Sequence, residues 1–562
     1  MGYRVTRTDQ GFGFVCRKQP ARGSKGVVVT NHPLASGVAT QMLLEGGNAA
    51  DAAVAALFAL SVVEPMMVGV LGGGLSHVRT AHGEHTIIDG LGCAPAAAHA
   101  CLYTPVASTA IADRRITVNR ENELGARAVA VPGALAAWCA LLERYGSVSL
   151  ADAMEPAIRL AARGFEVTPY LATNAAEQAG ALARDPALTR LFLPEGRPIR
   201  AGSTLRQPEF AATLRTIATE GPAALYNGPL GATLVDTLTR AGGLMTQDDL
   251  VSYRVRDRMP IRGRYRDHDI IGPPPPASSG IHIVQMLNML ETFDVRAAGF
   301  GSVAATHWLA EAMAIAFADR SAATADPDFV DVPIDRLTSK PYARERAAQI
   351  DLARRQRWSS GIGRTRESSD TTHLTIADSD GMVVASTHTL NGAFGAAMMI
   401  EGTGLIANNY MYNFDPHPGG ALSVEPGKRV FTSMAPMMVL RDEQLKVALG
   451  LPGGLRIFPS AMQAIVNLID HDMSLQQAVE APRIFTEGGD LELEEALPPE
   501  LGEALSNMGH PVRRVPRVAG GMNAISFDRD GMMTGAACWR ADGTPVAISG
   551  GLAQAGTGFG AV

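Results

Sequence analysis

The chain of 562 residues carries 49 Lys and Arg against 56 Asp and Glu, a net charge of −7, with 46% hydrophobic residues and a mean hydropathy of +0.06. These values describe a globular chain with a sizeable core, and they exclude a disordered, collagen-like or low-complexity protein. The sequence has no basic patch, so nucleic acid is not an expected partner. Its five scattered cysteines form no CxxC motif, which favours a reducing compartment over a zinc ribbon or redox pair.

No segment of the sequence predicts export or membrane insertion. Residues 1–26 contain no apolar core of the kind that a signal peptide needs, so we expect a cytoplasmic protein. The longest apolar stretch, Ala52 to Val63, is too short to span a bilayer, and Glu64 and Pro65 end it. This stretch is typical of a buried core helix, and we expect no membrane association.

The first half of the chain predicts short strands that alternate with helices. Val27 to Thr30 has the composition of a strand, and Pro33 is placed to begin the helix that follows. Gly72-Gly73-Gly74 predicts a tight loop, after which Leu75 to Arg79 is expected to be a strand. Further on, Thr306 to Arg320 has the apolar face of a helix.

One pair on that last helix has the spacing of metal ligands. His307 and Glu311 lie four residues apart, which puts them on one face. A hydrogen-bonded pair on the helix surface is the simpler interpretation, because no third ligand is nearby. We therefore expect no metal site.

The character of the sequence changes at Asp370. Residues 353–370 are polar and predict an exposed linker that is easily cut. Thr372 to Ile376 alternates polar and apolar residues, a turn follows, and Met382 to Thr389 predicts a second strand. A β-hairpin therefore opens a β-rich region directly after the linker.

A cut between Asp370 and Thr371 would place a hydroxyl nucleophile and a free α-amine on one residue. The reference pKa of such an amine is about 7.7–8.0, so much of it is neutral near pH 7 and can act as the base. The local pattern has a simpler interpretation, because adjacent threonines also suit a strand. The sequence has no dinucleotide, P-loop, zinc-protease or G-x-S-x-G motif that would point to other chemistry.

Motifs spread over residues 26–550 resemble those of the γ-glutamyltransferase family of N-terminal-nucleophile hydrolases, and especially its class IV cephalosporin acylase branch. The family motifs are Glu45–Ala52, Leu71–Gly74, Ala130–Gly133, Pro274–Gly280, Ala318–Ser321, Asp370–His373, Thr387–Asn391, Thr432–Met434 and Pro452–Ile457. The branch motifs are Asn408–Gly419 and Cys538–Val546.

The resemblance implies an α/β fold of the α+β kind, the four-layer αββα sandwich of N-terminal-nucleophile hydrolases, which cleave themselves into two subunits. Residues 1–370 would form the large subunit and residues 371–562 the small catalytic subunit, and both would stay associated in one globular unit. The expected substrates are a small-molecule amide and water or an acceptor amine. No cofactor and no metal is implied.

The resemblance also implies roles for individual residues. Thr371 matches the nucleophile, Asp370 and Thr371 flank the cleavage site, and Thr389 matches the residue that orients the nucleophile. Gly453 and Gly454 match the glycines whose backbone N–H groups form the oxyanion hole.

A second set of residues is expected to bind the substrate. Asn391 matches a substrate-contacting residue, Thr432 and Ser433 match a pair that holds the acyl-side carboxylate, and Tyr410 lies in the branch motif. Leu91 stands where the family has an arginine for the α-carboxylate, and Asn413 stands where it has an aspartate for the α-ammonium. The loop between Phe414 and Lys428 is short, so a long active-site lid is not expected.

These matches predict a self-processing threonine amidohydrolase or acyltransferase that cleaves glutaryl- or γ-glutamyl-type side-chain amides, as cephalosporin acylases do. Two alternatives stay open. One is a true γ-glutamyltransferase or glutathione hydrolase. The other is an inactive member of the fold that serves as a binding protein, for which an uncleaved 59.1 kDa chain would be the sign.

Overall fold

Two seven-stranded antiparallel sheets form the centre of the computed structural model, which describes residues 13–106, 115–358 and 370–550. We number strands and helices in chain order. In the first sheet the spatial order is β19 (Thr544–Ile548), β2 (Gly26–Thr30), β10 (Asp370–Asp378), β11 (Val383–Asn391), β3 (Gly73–Arg79), β4 (His85–Asp89) and β7 (Arg256–Arg258). In the second it is β1 (Ala21–Gly23), β18 (Met533–Ala537), β17 (Asn523–Phe527), β13 (Gln444–Gly450), β12 (Met437–Arg441), β9 (His268–Gly272) and β8 (Ile261–Tyr265).

Helices cover the outer faces of both sheets, and small sheets complete the fold. The helices are α1 (Pro33–Leu44), α2 (Ala49–Val63), α3 (Ala134–Tyr145), α4 (Leu150–Arg163), α5 (Pro169–Glu177), α6 (Ala179–Leu182), α7 (Pro186–Phe192), α8 (Pro208–Glu220), α9 (Ala223–Tyr226), α10 (Pro229–Arg240), α11 (Gln247–Ser252), α12 (Ser279–Leu290), α13 (Val295–Ala298), α14 (Val303–Ala323), α15 (Ile334–Leu337), α16 (Lys340–Ala347), α17 (Ile457–Ile469), α18 (Leu475–Glu480) and α19 (Pro499–Asn507). The remaining strands are β5 (Phe165–Glu166), β6 (Thr204–Leu205), β14 (Ile484–Phe485), β15 (Leu491–Glu494) and β16 (Val512–Val515).

The period-two alternation of the central strands separates the layers. Val28, Ile376 and Val384 of the first sheet pack into one core with helices α1 to α4. Their neighbours Val27 and Val29 point the other way, into a core between the two sheets. Because these strands are buried on both faces, both sets of alternating side chains must be apolar, and the strands are therefore nearly continuous apolar runs.

The second sheet repeats this arrangement. Met438 faces the core between the sheets, whereas Met437 and Val439 pack with helices α12, α14 and α17 on the outside. The order helix, sheet, sheet, helix confirms the four-layer αββα sandwich.

Several predicted elements are present with small differences at their ends. Pro33 begins α1, and Asn48 caps α2 with a reciprocal side-chain contact to Asp51. Gly73 and Gly74, predicted as a loop, already belong to β3. A larger residue would not fit at position 74, because a Cβ there would lie 2.3 Å from the backbone oxygen of Thr387 in β11.

The predicted linker of residues 353–370 differs from the structure in part. Asp370 already pairs in β10, and the indole Nε1 of Trp358 donates to the buried Glu311 carboxylate at 2.7 Å. Residues 359–369 lie outside the described part of the chain. The segment up to Trp358 is therefore fastened to the body rather than wholly free.

The expectation that His307 and Glu311 have no third ligand nearby is wrong. His510, which precedes β16, brings its Nε2 to 2.8 Å from the His307 Nδ1. The fold, not the local sequence, supplies this third group.

Neither the helices nor the cysteines of the structure test the compartment. Within the described ranges, no helix is both long and apolar enough to cross a membrane. Cys16, Cys93, Cys101, Cys139 and Cys538 are all free thiols in the structure. The cytoplasmic location stays a prediction.

Candidate active site

Thr371 lies in an irregularity of the hairpin that the sequence predicts. Asp370 pairs with Asn391 and Thr372 pairs with His388, so one residue of β10 faces two residues of β11 between these pairs. Thr389 and Leu390 are those two residues. Such a bulge bends the strand and re-aims the side chains beside it. The fold therefore places the predicted nucleophile opposite the threonine that is predicted to orient it.

The end of β11 holds the backbone of Asn391 in an uncommon conformation. Its φ is 85°, its N–H donates to the Thr389 Oγ1 at 2.7 Å, and its Nδ2 donates to the Asn409 backbone oxygen at 3.0 Å. A positive φ in a non-glycine residue costs free energy, so these contacts are what maintains it. Asn391 thus pairs with Asp370 on the neighbouring strand, at the predicted cleavage site.

Asn408, to which the sequence analysis gave no role, supports this corner. The Asn408 Nδ2 donates to the backbone oxygens of Leu71 and Ala130, and its Oδ1 accepts from the backbone N–H of Tyr410. Tyr410 in turn donates its hydroxyl to the Thr389 backbone oxygen at 3.3 Å. The branch-motif residues Asn408 and Tyr410 therefore support the bulge. The side chain of Tyr410 is fully buried and contacts the bulge through the backbone of Thr389.

Gly453 and Gly454 lie in a turn that follows β13 of the second sheet. Their φ angles are 140° and 56°, and a Cβ on Gly453 would lie 2.6 Å from that of Ala519. No described residue accepts a hydrogen bond from the backbone N–H of either glycine. The same strand approaches β10 closely, since a Cβ on Gly450 would be 2.3 Å from the His373 ring. The turn therefore offers two free backbone donors at the end of the sandwich where β10 begins.

Two histidines close to Thr371 in sequence or register are not candidates for the base. His373 contacts the hydroxyls of Thr387 and Thr375 through its two ring nitrogens, and burial lowers its pKa to about 3. His388 accepts from the Trp138 indole, and burial likewise lowers its pKa to about 3. Both rings are neutral and occupied, which leaves the α-amine of a processed Thr371 as the base that this arrangement offers.

One carboxyl group beside the site was missed by sequence reasoning. Glu64, at the end of α2, is fully buried and accepts a hydrogen bond from the Thr372 hydroxyl at 2.7 Å. Its Oε1 has no partner among the described residues, and burial raises the pKa of Glu64 to about 8. The only sequence signal was a Glu-Pro pair that ends an apolar helix, which predicted nothing beyond the helix end.

Ser433, which forms the predicted carboxylate-binding pair with Thr432, contacts a buried arginine. The Ser433 hydroxyl accepts from Arg320 at 2.9 Å, and the guanidinium also donates to the Ser278 hydroxyl at 2.9 Å. Arg320 is 1% exposed and stacks on the Phe431 ring at 4.1 Å. The sequence analysis included Arg320 in a family motif but assigned it no role; the structure makes it the cation behind the predicted carboxylate-binding pair.

The side chains of Leu91 and Asn413 carry no charge, but the backbone of Leu91 contacts two charged groups. Its N–H donates to the Asp89 carboxylate at 2.9 Å, and its oxygen accepts from the Arg429 guanidinium at 3.1 Å. Leu91 is fully buried in an apolar cluster with Tyr410, Met411 and Phe414. Asn413 donates from its Nδ2 to the Phe431 backbone oxygen at 3.0 Å, and its buried Oδ1 has no partner in the described part of the chain. These two side chains therefore offer one hydrogen-bond acceptor and no charge, and the neighbouring Asp89 and Arg429 are paired with each other.

The intact chain buries the whole set. Thr371, Thr389, Asn391, Asn413 and Thr432 are each exposed by 5% or less. A cavity of about 500 Å³ that opens between the β12–β13 hairpin and α17 is lined by none of the predicted site residues.

The γ-glutamyltranspeptidase family model matches residues 35–548, which is nearly the whole chain. The chain belongs to that family. It is an enzyme of the hydrolase and acyltransferase class that the family comprises.

Relatives and solved structures agree with this assignment. The chain is 61% identical to the acylase ACY 1 proenzyme of Pseudomonas sp. (strain SE83) over 97% of this chain and 98% of that protein. It is 35% identical to the glutathione hydrolase proenzyme of Escherichia coli (strain K12), over 92% and 90% of the two chains. Its structure matches cephalosporin acylase from Bacillus halodurans with a TM-score of 0.85 and 29% identity, over 97% of this chain and all of the other.

Proposed function

We propose that this protein is an acylase that cleaves itself before Thr371 and then hydrolyses or transfers dicarboxylic acyl groups from side-chain amides. The observation on which the proposal rests is Thr371 in a bulge opposite Thr389, at the end of the sandwich where the N–H groups of Gly453 and Gly454 have no acceptor among the described residues. The names of the Pseudomonas and Bacillus relatives support the acylase activity.

The first step would be self-cleavage. The Thr371 hydroxyl adds to the carbonyl carbon of Asp370, the C–N bond breaks, and the acyl group becomes an ester on the Thr371 oxygen while the amine takes up the proton. Water then hydrolyses the ester, which leaves a carboxylate on Asp370 and a free Thr371. Residues 1–370 and 371–562 would be the products, held together by the sheets they share.

The mature enzyme would use the same hydroxyl on a substrate amide. The α-amine of Thr371 accepts the hydroxyl proton and returns it to the leaving amine, so that an acyl ester forms and then passes to water or to another amine. The N–H groups of Gly453 and Gly454 would hold the negative oxygen of the tetrahedral intermediate, a contribution of about 3 kcal/mol for each well-placed donor.

The charges around the site favour a glutaryl over a γ-glutamyl group. Arg320 lies behind Ser433 and supplies positive potential for one terminal carboxylate. A γ-glutamyl group would bring an additional ammonium next to neutral Asn413 and apolar Leu91, where neither side chain can balance it. Burying a charge without a partner costs several kcal/mol.

The test is the ratio of kcat/KM for glutaryl- and γ-glutamyl-p-nitroanilide, two substrates that differ only in the α-ammonium group. The proposal expects the glutaryl compound to be the better substrate by at least about tenfold. A preference for the γ-glutamyl compound would make the protein a γ-glutamyltransferase or glutathione hydrolase instead. Hydrolysis of neither compound by a chain that stays uncleaved would favour the binding-protein alternative.

A further inference from the structure

Three buried side chains meet on the outer face of the second sheet, away from the active site. His307 and Glu311 come from α14 and His510 from the turn before β16, and their exposed fractions are 0%, 1% and 5%. The His307 Nδ1 lies 2.8 Å from the His510 Nε2, which lies 4.0 Å from the Glu311 Oε1. All three ligand atoms fall within 4.8 Å of one another.

The outward-facing atoms of two of these side chains are held by the segment that leads toward Asp370. The His307 Nε2 lies 2.8 Å from the Asp351 backbone oxygen, and the Glu311 Oε2 accepts from the Trp358 indole at 2.7 Å. A carbonyl oxygen only accepts, so the proton of neutral His307 sits on Nε2 and its Nδ1 presents a lone pair to the cluster. This is how proteins orient metal-ligating histidines and carboxylates.

We propose that His307, Glu311 and His510 form a binding site for one Zn²⁺ ion or a similar first-row divalent metal. Two imidazoles and one carboxylate are a common zinc ligand set, with a water in the fourth position, and the nitrogen ligands disfavour Mg²⁺ and Ca²⁺. Metal–ligand bonds of about 2.1 Å place tetrahedral ligand atoms about 3.4 Å apart. The observed spacings of 2.8 and 4.0 Å bracket that distance, so small side-chain rotations would complete the site.

Metal binding would require one proton within the cluster to move from one ring nitrogen of His510 to the other. In the hydrogen bond between the two imidazoles, the His510 Nε2 must donate because the His307 Nδ1 carries the lone pair. The proton of His510 therefore has to move to its Nδ1 before its Nε2 can bind the metal. Each histidine stays neutral, and Glu311 binds as a carboxylate.

The positions of the ligands along the chain indicate a structural role for the site, which is to connect the two fragments. His307 and Glu311 precede Asp370, whereas His510 follows Thr371. If the chain is cut between Asp370 and Thr371, the metal would connect the two fragments without a covalent bond. It would also fix the residues from Asp351 to Trp358, twelve residues before the new carboxyl terminus.

Metal content and stability test this site without reference to catalysis. Untagged full-length protein, stripped with EDTA and dialysed against micromolar Zn²⁺, should retain about one equivalent, and Zn²⁺ should raise its melting temperature by several degrees. Co²⁺ in place of Zn²⁺ should give the visible absorption of a tetrahedral site. The His510→Gln variant should lose all three effects, and the exposed control His82→Gln should keep them.

Further variants keep the outcome decisive. Glu311→Gln removes the only charged ligand and serves if His510→Gln does not fold. Thr371→Ala should bind Zn²⁺ as the wild type does, so failure of self-cleavage and failure of the metal site are distinguishable. Absence of bound Zn²⁺ in the wild type, or undiminished binding in both ligand variants, would overturn the proposal.

Discussion

Thr372, the residue after the proposed nucleophile, donates a hydrogen bond of 2.7 Å from its hydroxyl to the buried carboxyl group of Glu64. The two residues are 308 positions apart in the sequence. This contact ties the first strand of the proposed small fragment to the core helix of the large one. It also places a titratable group directly behind the site.

Glu64 should make stability decrease as the pH rises. Its pKa is raised from an ordinary 4.5 to about 8, mainly by burial, so between these values the native chain holds a proton that the unfolded chain has lost. The free energy of unfolding then falls with pH over this interval. Glu64→Gln cannot ionise but keeps an oxygen for Thr372, so its stability relative to the parent chain should increase from pH 5 to pH 8, by up to a few kcal/mol.

Urea unfolding at the two pH values measures this effect. The Thr371→Ala background keeps one covalent chain and a simple unfolding equilibrium. The exposed carboxylate of Glu503 provides a matched control, Glu503→Gln, which should show no such trend. Equal differences for Glu64→Gln at pH 5 and pH 8 would contradict a neutral buried carboxyl group.

Thr371→Ala should abolish self-cleavage and turnover together, because it removes the hydroxyl that both steps use. The purified variant should remain a single 59.1 kDa chain, whereas the wild type should give fragments of residues 1–370 and 371–562. Thr371→Ser keeps a hydroxyl and should still process. Cleavage of the alanine variant at the same bond, shown by amino-terminal sequencing, would remove Thr371 from the mechanism.

Thr389→Val should slow both processing and turnover by about a hundredfold, the effect expected when a nucleophile loses its positioning group. The variant also deprives the Asn391 N–H of its 2.7 Å acceptor and so loosens the strained end of β11. Thr389→Ser restores the oxygen and should recover most of the rate. Single-turnover kinetics would measure this, and unchanged rates in Thr389→Val would show that the hydroxyl has no part in the reaction.

Gly453→Ala should lower kcat by at least about a hundredfold while KM changes little, since the oxyanion donors act mainly in the transition state. The added Cβ would meet Ala519 at 2.6 Å, in a backbone conformation with φ of 140°. Gly502→Ala is the control. Gly502 lies inside helix α19, and a Cβ there would be 3.6 Å from the side chain of Val512, an ordinary contact. A normal kcat in a folded Gly453→Ala enzyme would argue against this turn as the oxyanion hole.

Ser433→Ala should raise the KM for glutaryl-p-nitroanilide about tenfold, because it removes the hydroxyl that Arg320 holds toward the proposed carboxylate site. Valeryl-p-nitroanilide has the same chain length without the carboxylate and is the matched control substrate. Its KM should be almost unaffected. An equal change for both substrates would mean that Ser433 does not read the carboxylate.

The residues that the sequence made predictable are those whose signal is local. The alternation around Thr372 predicted the hairpin, and the polar linker before Thr371 marked the candidate nucleophile. The role of Gly453 and Gly454 was predicted from the resemblance to the family, and the structure adds that a turn with φ angles of 140° and 56° favours glycine.

The contacts that the sequence did not reveal join distant positions. His307 and His510 are 203 positions apart, and Ser433 lies 113 positions from Arg320. Nothing in the local pattern of either partner signals the other, because the pairing is made by the packing of layers. The surroundings of Asn391 were likewise hidden, since its strained backbone depends on Asn409 across a loop.

The order of strands in the first sheet bears on when the chain can be cut. From one edge to the other, β19 lies after the cut, β2 lies before it, β10 spans it from Asp370, β11 lies after it, and β3, β4 and β7 lie before it. The bulge opposite Thr389 lies within the β10–β11 hairpin, whose neighbours on either side, β2 and β3, both precede the cut, so strands from both fragments must pair before the bulge is held in the sheet. Cleavage would therefore report that folding is complete, and a misfolded chain would keep its peptide bond and stay inactive. Separately synthesised halves, each with unpaired strand edges, should aggregate rather than reconstitute the enzyme.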